Sequence, residues 1–116
     1  MTEMSGQGWV VCLCAQWCNV CRGLRENFDA LALALPGVRL AWVDVEDEET
    51  LMGDFDIETF PTVLMGSDTQ LRFAGAVQPQ AAVIARLATG LLGPDGLALD
   101  NEEALAVLRR VIASRA

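Results

Sequence analysis

A continuous apolar run, Trp9–Ala15, ends three residues before the pair Cys18-Asn19-Val20-Cys21, and an amphipathic pattern begins at the same place. The run is rich in valine and reads as a strand buried on both faces. It must hand over through a short turn to a helix whose first turn holds two cysteines. The first four N–H groups of a helix have no intrahelical partners, and the macrodipole is positive there. A thiolate, the form of cysteine that attacks disulfides, is stabilised in such a place. The stretch therefore predicts a strand–turn–helix unit and thiol chemistry together.

The rest of the chain extends this pattern. Leu24, Phe28, Leu31 and Leu35 recur at three- and four-residue steps, with Arg22, Arg25, Glu26 and Asp29 interleaved, until Pro36-Gly37 stops the helix. Residues 38–45 read as a second buried strand and residues 47–54 as a short helix. Strands follow at 61–65 and 70–74, joined by Gly66-Ser67-Asp68-Thr69, which is hairpin chemistry. A helix is predicted over 79–91, with Val83, Ile84, Leu87 and Leu91 on one face. Gly93-Pro94-Asp95-Gly96 breaks it. A last amphipathic helix spans 101–114, with Leu105, Leu108, Val111 and Ile112 inward and Asp100 or Asn101 as its cap. The order is α/β: strands joined through helices suit parallel pairing, and the hairpin adds an antiparallel edge. At 116 residues the chain is one domain's worth, read as a tail (1–8), a core domain (9–92), and a linker with a C-terminal helix packed on it (93–116).

Composition excludes several function classes. A net charge of −8, with all eight basic residues Arg, argues against nucleic acid or an anionic membrane as partner. No apolar run approaches the roughly 20 residues of a membrane helix. The absence of His removes Ser-His and Cys-His catalysis, histidine metal ligands and the usual near-neutral base, and the absence of Tyr removes another acid. What remains is cysteine, carboxylate and backbone. All four cysteines, Cys12, Cys14, Cys18 and Cys21, lie within ten residues. A secreted disulfide scaffold spreads its cysteines to staple distant segments, so this clustering points to a site. Residues 1–8 carry no Lys or Arg and make a poor signal peptide, which reads as a cytoplasmic chain.

With these residues in view, the chain resembles the thioredoxin family. Ala15-Gln16-Trp17-Cys18-Asn19-Val20-Cys21 is similar to the family's active-site string, and Val43-Asp44-Val45-Glu46 to its next central strand. Phe55-Asp56-Ile57-Glu58-Thr59-Phe60-Pro61-Thr62 resembles the segment leading to its cis-proline, and Phe73-Ala74-Gly75 falls at its groove-lining glycine. The resemblance covers roughly residues 9–92. It implies a thioredoxin-like fold, a four-stranded mixed sheet flanked by helices, with Cys18 attacking and Cys21 resolving. It also implies that Phe60 and Pro61 hold an extended substrate strand, with Trp17, Gly75 and Ala76 shaping the groove.

The departures are specific. The family's first strand and helix have no counterpart ahead of Cys18, so strand 38–45 is expected to be an open sheet edge. Its Gly-Pro between the cysteines is Asn19-Val20 here, its buried aspartate aligns with Cys12, its lysine with Trp42, and a helix proline with Glu26.

Each feature also has a plainer reading. Cys12 and Cys14 point to one face of a strand, where buried cysteine packs as a small hydrophobe. The alternatives are a second redox role for Cys12 near Cys21, or a four-cysteine site holding zinc or an iron–sulfur cluster. Residues 44–58 hold eight of the sixteen acidic residues, a solvated face or a dock for a basic partner. The last helix packs on its own domain, or else forms a homodimer or covers the free edge. Together these readings predict a thiol-disulfide oxidoreductase that reduces protein disulfides, draws electrons from a thiol reductant system, and needs no organic cofactor or metal. The alternative from another class is a non-catalytic adaptor or chaperone that keeps the fold to bind a client.

Overall fold

Alternate residues of the first strand, β1 (Trp9–Cys14), enter two different cores, and the molecule is arranged around that division. The computed structural model describes residues 8–93 and 96–115; most of the expected tail, and Pro94 and Asp95 of the expected break, lie outside them. After β1 come α1 (Asn19–Phe28), α2 (Leu31–Ala34), β2 (Arg39–Asp44) and α3 (Glu49–Met52). They are followed by β3 (Thr62–Gly66), β4 (Leu71–Ala76), α4 (Ala81–Leu91) and α5 (Glu102–Arg115). The sheet order is β2-β1-β3-β4; β1 and β2 are parallel, and the other two pairs antiparallel. This is a four-stranded mixed sheet with helices on both faces.

On one face Trp9, Val11 and Leu13 meet Ala41, Val43 and Leu64, covered by Ala104, Val107, Leu108 and Val111 of α5. On the other, Val10, Cys12 and Cys14 meet Val63 and Met65, covered by Cys21, Leu24 and Phe28 of α1 and by Ile84 and Ala88 of α4. Period-two alternation along the strands is what separates the two sets. Both faces of β1 are dry, so its apolar run carries no polar residue at all.

Local details depart from the sequence expectations. The helix expected from Cys18 to Leu35 is broken at Asp29-Ala30, where Ala30 N–H bonds to Asn27 C=O (3.2 Å) and Leu33 N–H to Ala30 C=O (3.1 Å). These tighter i→i+3 bonds turn the chain while keeping Leu31 and Leu35 buried. On α4 the inward residues are Ile84 and Ala88, flanked by Ala81, Ala85 and Leu87; Val83 is only half-buried and outside both cores. On α5 the inward set is Ala104, Val107, Leu108 and Val111, with Leu105 and Ile112 at its margins. Asn101 is the cap, its Oδ1 accepting the Ala104 N–H at 3.0 Å.

Arginines fasten the pieces. Arg72 on β4 donates to the carbonyls of Leu91 (2.9 Å), Gly93 (3.4 Å) and Gly96 (2.9 Å), satisfying the end of α4 and fixing the link towards α5. Arg110 Nε donates to Leu51 C=O at 2.7 Å, tying α5 to α3, and it packs where a Cβ on Gly53 (φ 56°) would stand. β2 is a sheet edge, as expected. Arg115, at the end of α5, donates there to Trp42 C=O (2.9 Å) while pairing with both oxygens of Glu48 (2.8 and 3.0 Å). That edge therefore carries a fixed charge instead of a bare run of acceptors.

Candidate active site

The turn from β1 to α1 is held by its own backbone and by one arginine. Cys18 N–H bonds to Ala15 C=O (3.0 Å), and Arg22 N–H to Cys18 C=O (3.1 Å) opens the helix. Arg22 Nη1 donates to Gln16 C=O (2.8 Å) and its Nη2 to Asn19 Oδ1. Cys18 is the N-cap residue with extended backbone, no side chain caps the helix, and the first turn contains no acidic residue. Cys18 thus sits at the positive end of α1, and Arg22 braces the residues on either side of it, Gln16 and Asn19. Sequence reasoning had the helix start but not the pinning role of Arg22.

The four sulfurs occupy different depths. Cys18 is half-buried and free, whereas Cys21, three residues on, is buried. Cys21 forms a disulfide with Cys14, their Cα atoms 5.8 Å apart. Cys12 is a fully buried thiol with its Sγ 3.7 Å from that of Cys14. Burial pushes the Cys12 thiol up to about 12, opposed more weakly by the charge of Arg25. The β1 cysteine that reaches Cys21 is therefore Cys14, not Cys12. β1 runs towards the helix start, so the residue nearer its end meets the first helical turn. Alternation along β1 was the signal for it: Cys14 shares a face with Cys12 and lies closer to the motif. Among the described residues, no group of three or more His, Cys, Asp or Glu side chains is arranged to hold a metal.

Around the motif, Trp17 is exposed yet fixed. Its Nε1 donates to Glu46 Oε2 (2.8 Å), and its ring meets Phe60 edge-on at 5.7 Å and 81°. Asp44 shapes the loop carrying Glu46 by accepting the N–H groups of Glu46 (2.9 Å) and Asp47 (3.2 Å). The Phe60–Pro61 bond is cis. Pro61 directly precedes Thr62, which faces Leu13 in the last pair of the β1–β3 ladder. Gly75 and Ala76 face Val63 and Thr62 on the other side of β3. The structure thus gathers Trp17 and Phe60 at one contact. Gly75 and Ala76 line a separate cleft of about 240 Å³ with residues 55–59 and Asn101. A further cleft of about 320 Å³ reaches Cys21 between Arg22, Arg25, Trp42, Asp44 and Asp47.

A four-stranded mixed sheet with helices on both faces, and a C-x-x-C motif opening the helix after a buried strand, define a thioredoxin-like protein. The chain belongs to the thioredoxin family: the family model described as Thioredoxin matches residues 2–89. A protein disulfide isomerase-like 2-3 of Oryza sativa subsp. japonica is 37% identical over 67 residues, covering 56% of this chain and 15% of that protein. Mitochondrial thioredoxin-3 of Saccharomyces cerevisiae is 30% identical over 57 residues, covering 49% and 45%. The chain thus spans less than half the length of these curated relatives. The structure of Fasciola hepatica thioredoxin superposes with a TM-score of 0.65 at 27% identity, covering 76% of this chain and 84% of that one. Oxidised yeast mitochondrial thioredoxin 3 shares the fold, with a TM-score of 0.63 at 22% identity, covering 73% and 79%.

Proposed function

We propose that this chain is a thiol-disulfide oxidoreductase acting on protein disulfides, with Cys18 as the attacking and Cys21 as the resolving cysteine. The observation that carries the reading is the position of Cys18: a free, half-buried thiol at the uncapped N-terminus of α1, one helical turn before Cys21. From the reduced chain, the Cys18 thiolate attacks one sulfur of a substrate disulfide and releases the other as a thiol. Cys21 then attacks Cys18, the second substrate sulfur leaves, and a Cys18–Cys21 disulfide remains for an external thiol system to reduce. Trp17 and Phe60 offer the apolar contact beside the attacking sulfur. The backbone of Phe60 offers an edge to an extended substrate, whereas Gly75 and Ala76 face a separate cleft on the far side of β3. The names of the similar proteins, disulfide isomerases and thioredoxins, support protein disulfides as the substrate class. Residues 1–8, which carry no Lys or Arg and make a poor signal peptide, support a cytoplasmic setting, where the net direction is reduction.

Dithiol-driven reduction of insulin tests this. Wild type should be faster than Cys18→Ser by a wide margin. Equal rates would leave the adaptor reading in its place.

A further inference from the structure

We propose that Cys14 is a second resolving cysteine: Cys21 is shared by two alternative disulfides, one with Cys18 and one with Cys14, and exchange between them returns Cys18 to the free thiol. The inference rests on the reading of Cys18 and Cys21 as the exchanging pair. Its own support is geometric. Cys14 and Cys21 are bonded across the β1–α1 interface with Cα atoms 5.8 Å apart, inside the range disulfides adopt. Cys18 precedes Cys21 by one helical turn and is left free. Cys21 therefore has one partner on the strand and another on its own helix start.

The exchange step balances without any outside reagent. Cys14 attacks the Cys21 sulfur of a Cys18–Cys21 disulfide; the Cys14–Cys21 bond forms as the Cys18–Cys21 bond breaks. Cys18 leaves with the electron pair and takes up the proton that Cys14 gives up. One disulfide and one thiol become another disulfide and another thiol. Cys12 assists as a donor. With Cys14 in a disulfide, the S–H across the 3.7 Å contact belongs to Cys12, and burial keeps that thiol protonated. The consequence reaches the surface. When Cys21 is tied to Cys14, a mixed disulfide formed at Cys18 has no resolving thiol within the chain and waits for an external one.

The test maps disulfides in the full wild-type chain, oxidised with diamide and alkylated without denaturant, then quenched in acid. Cleavage after Trp17 and Arg22 separates the outcomes. A Cys18–Cys21 disulfide stays inside one peptide, whereas a Cys14–Cys21 disulfide joins two peptides and leaves the alkyl label on Cys18. We expect the cross-linked form to be at least as abundant as the internal one. Only the internal form, with Cys14 recovered as a thiol, would overturn the proposal. Cys14→Ala, or Cys14→Val if the first does not fold, should lose the rapidly alkylated Cys18 thiol of the oxidised protein; its persistence would also count against the proposal. Dithiol-driven insulin reduction by the same protein before oxidation and alkylation separates the two claims. Reduction with the internal form alone sinks the shared Cys21 and spares the oxidoreductase. Cross-linking without reduction does the reverse.

Discussion

The two faces of the sheet are built from the same strand and do different work. On the α5 side, Trp9, Val11 and Leu13 pack against aliphatic and small residues, and every buried group there is inert. On the α1 side, Val10, Cys12 and Cys14 pack against Cys21, Leu24 and Phe28, so three of the four cysteines lie inside a hydrophobic core. Burial alone therefore does not mark a residue as structural. What distinguishes the second face is that its core reaches the N-terminus of a helix, where Cys18 is half-buried. The half-buried thiol that we propose attacks the substrate is thus backed by three further cysteine sulfurs in the core beneath it, while the opposite face carries no cysteine.

Breaking each face should give a different result. The largest effect belongs to Cys18→Ser, which should bring insulin reduction to the uncatalysed level with an unchanged melting temperature. An active Cys18→Ser chain would erase the distinction between the faces.

Next comes the alkaline limb of stability, which reports on Cys12. Its thiol is pushed from an ordinary 9.0 to about 12, so between these values the folded chain binds more protons than the unfolded one. Stability is intact below pH 9 and falls as pH rises towards 12, by about 1.4 kcal/mol per pH unit from this group. Urea melts of the chain carrying the Cys14–Cys21 disulfide, at pH 8 and pH 11, should show this loss, and Cys12→Ala should show less of it.

On the inert face, Leu108→Ala removes a fully buried side chain and should cost about 3 kcal/mol by urea denaturation. The exchange rate of the folded fraction should not change. A lost rate at full stability would mean that α5 touches the chemistry. The smallest effect is expected at the β2 edge. Arg115 and Glu48 are about a third exposed, so Arg115→Met should cost only about 1 kcal/mol, less at high salt.

Much of this division was legible in the sequence. The unbroken apolar run of β1 gave a strand buried on both sides, and the Cys18 to Cys21 spacing gave the helix start. The parallel pairing of β1 and β2 followed from element order, and the open edge at β2 from the resemblance to the thioredoxin family. The Cys14–Cys21 bond was not, because spacing counts residues along the chain while this contact runs through a strand, a turn and a helix. Both strand cysteines read first as packing residues, with Cys12 only as an alternative neighbour of Cys21, and it lies two residues too deep. On α4, Ile84, Leu87 and Leu91 pack inward as expected, but Val83 does not, and Ala81, Ala85 and Ala88 share that face instead. The break at Asp29-Ala30 carries neither proline nor glycine, the two residues by which sequence most plainly marks a turn.

The most direct test of the account is to incubate the Cys21→Ser chain with glutathione disulfide and locate the adduct by mass spectrometry. With the resolving thiol gone, a single glutathione should accumulate on Cys18 and none on Cys12 or Cys14. An adduct on either strand cysteine, or no adduct at all, would contradict the assignment of the attacking thiol to the start of α1.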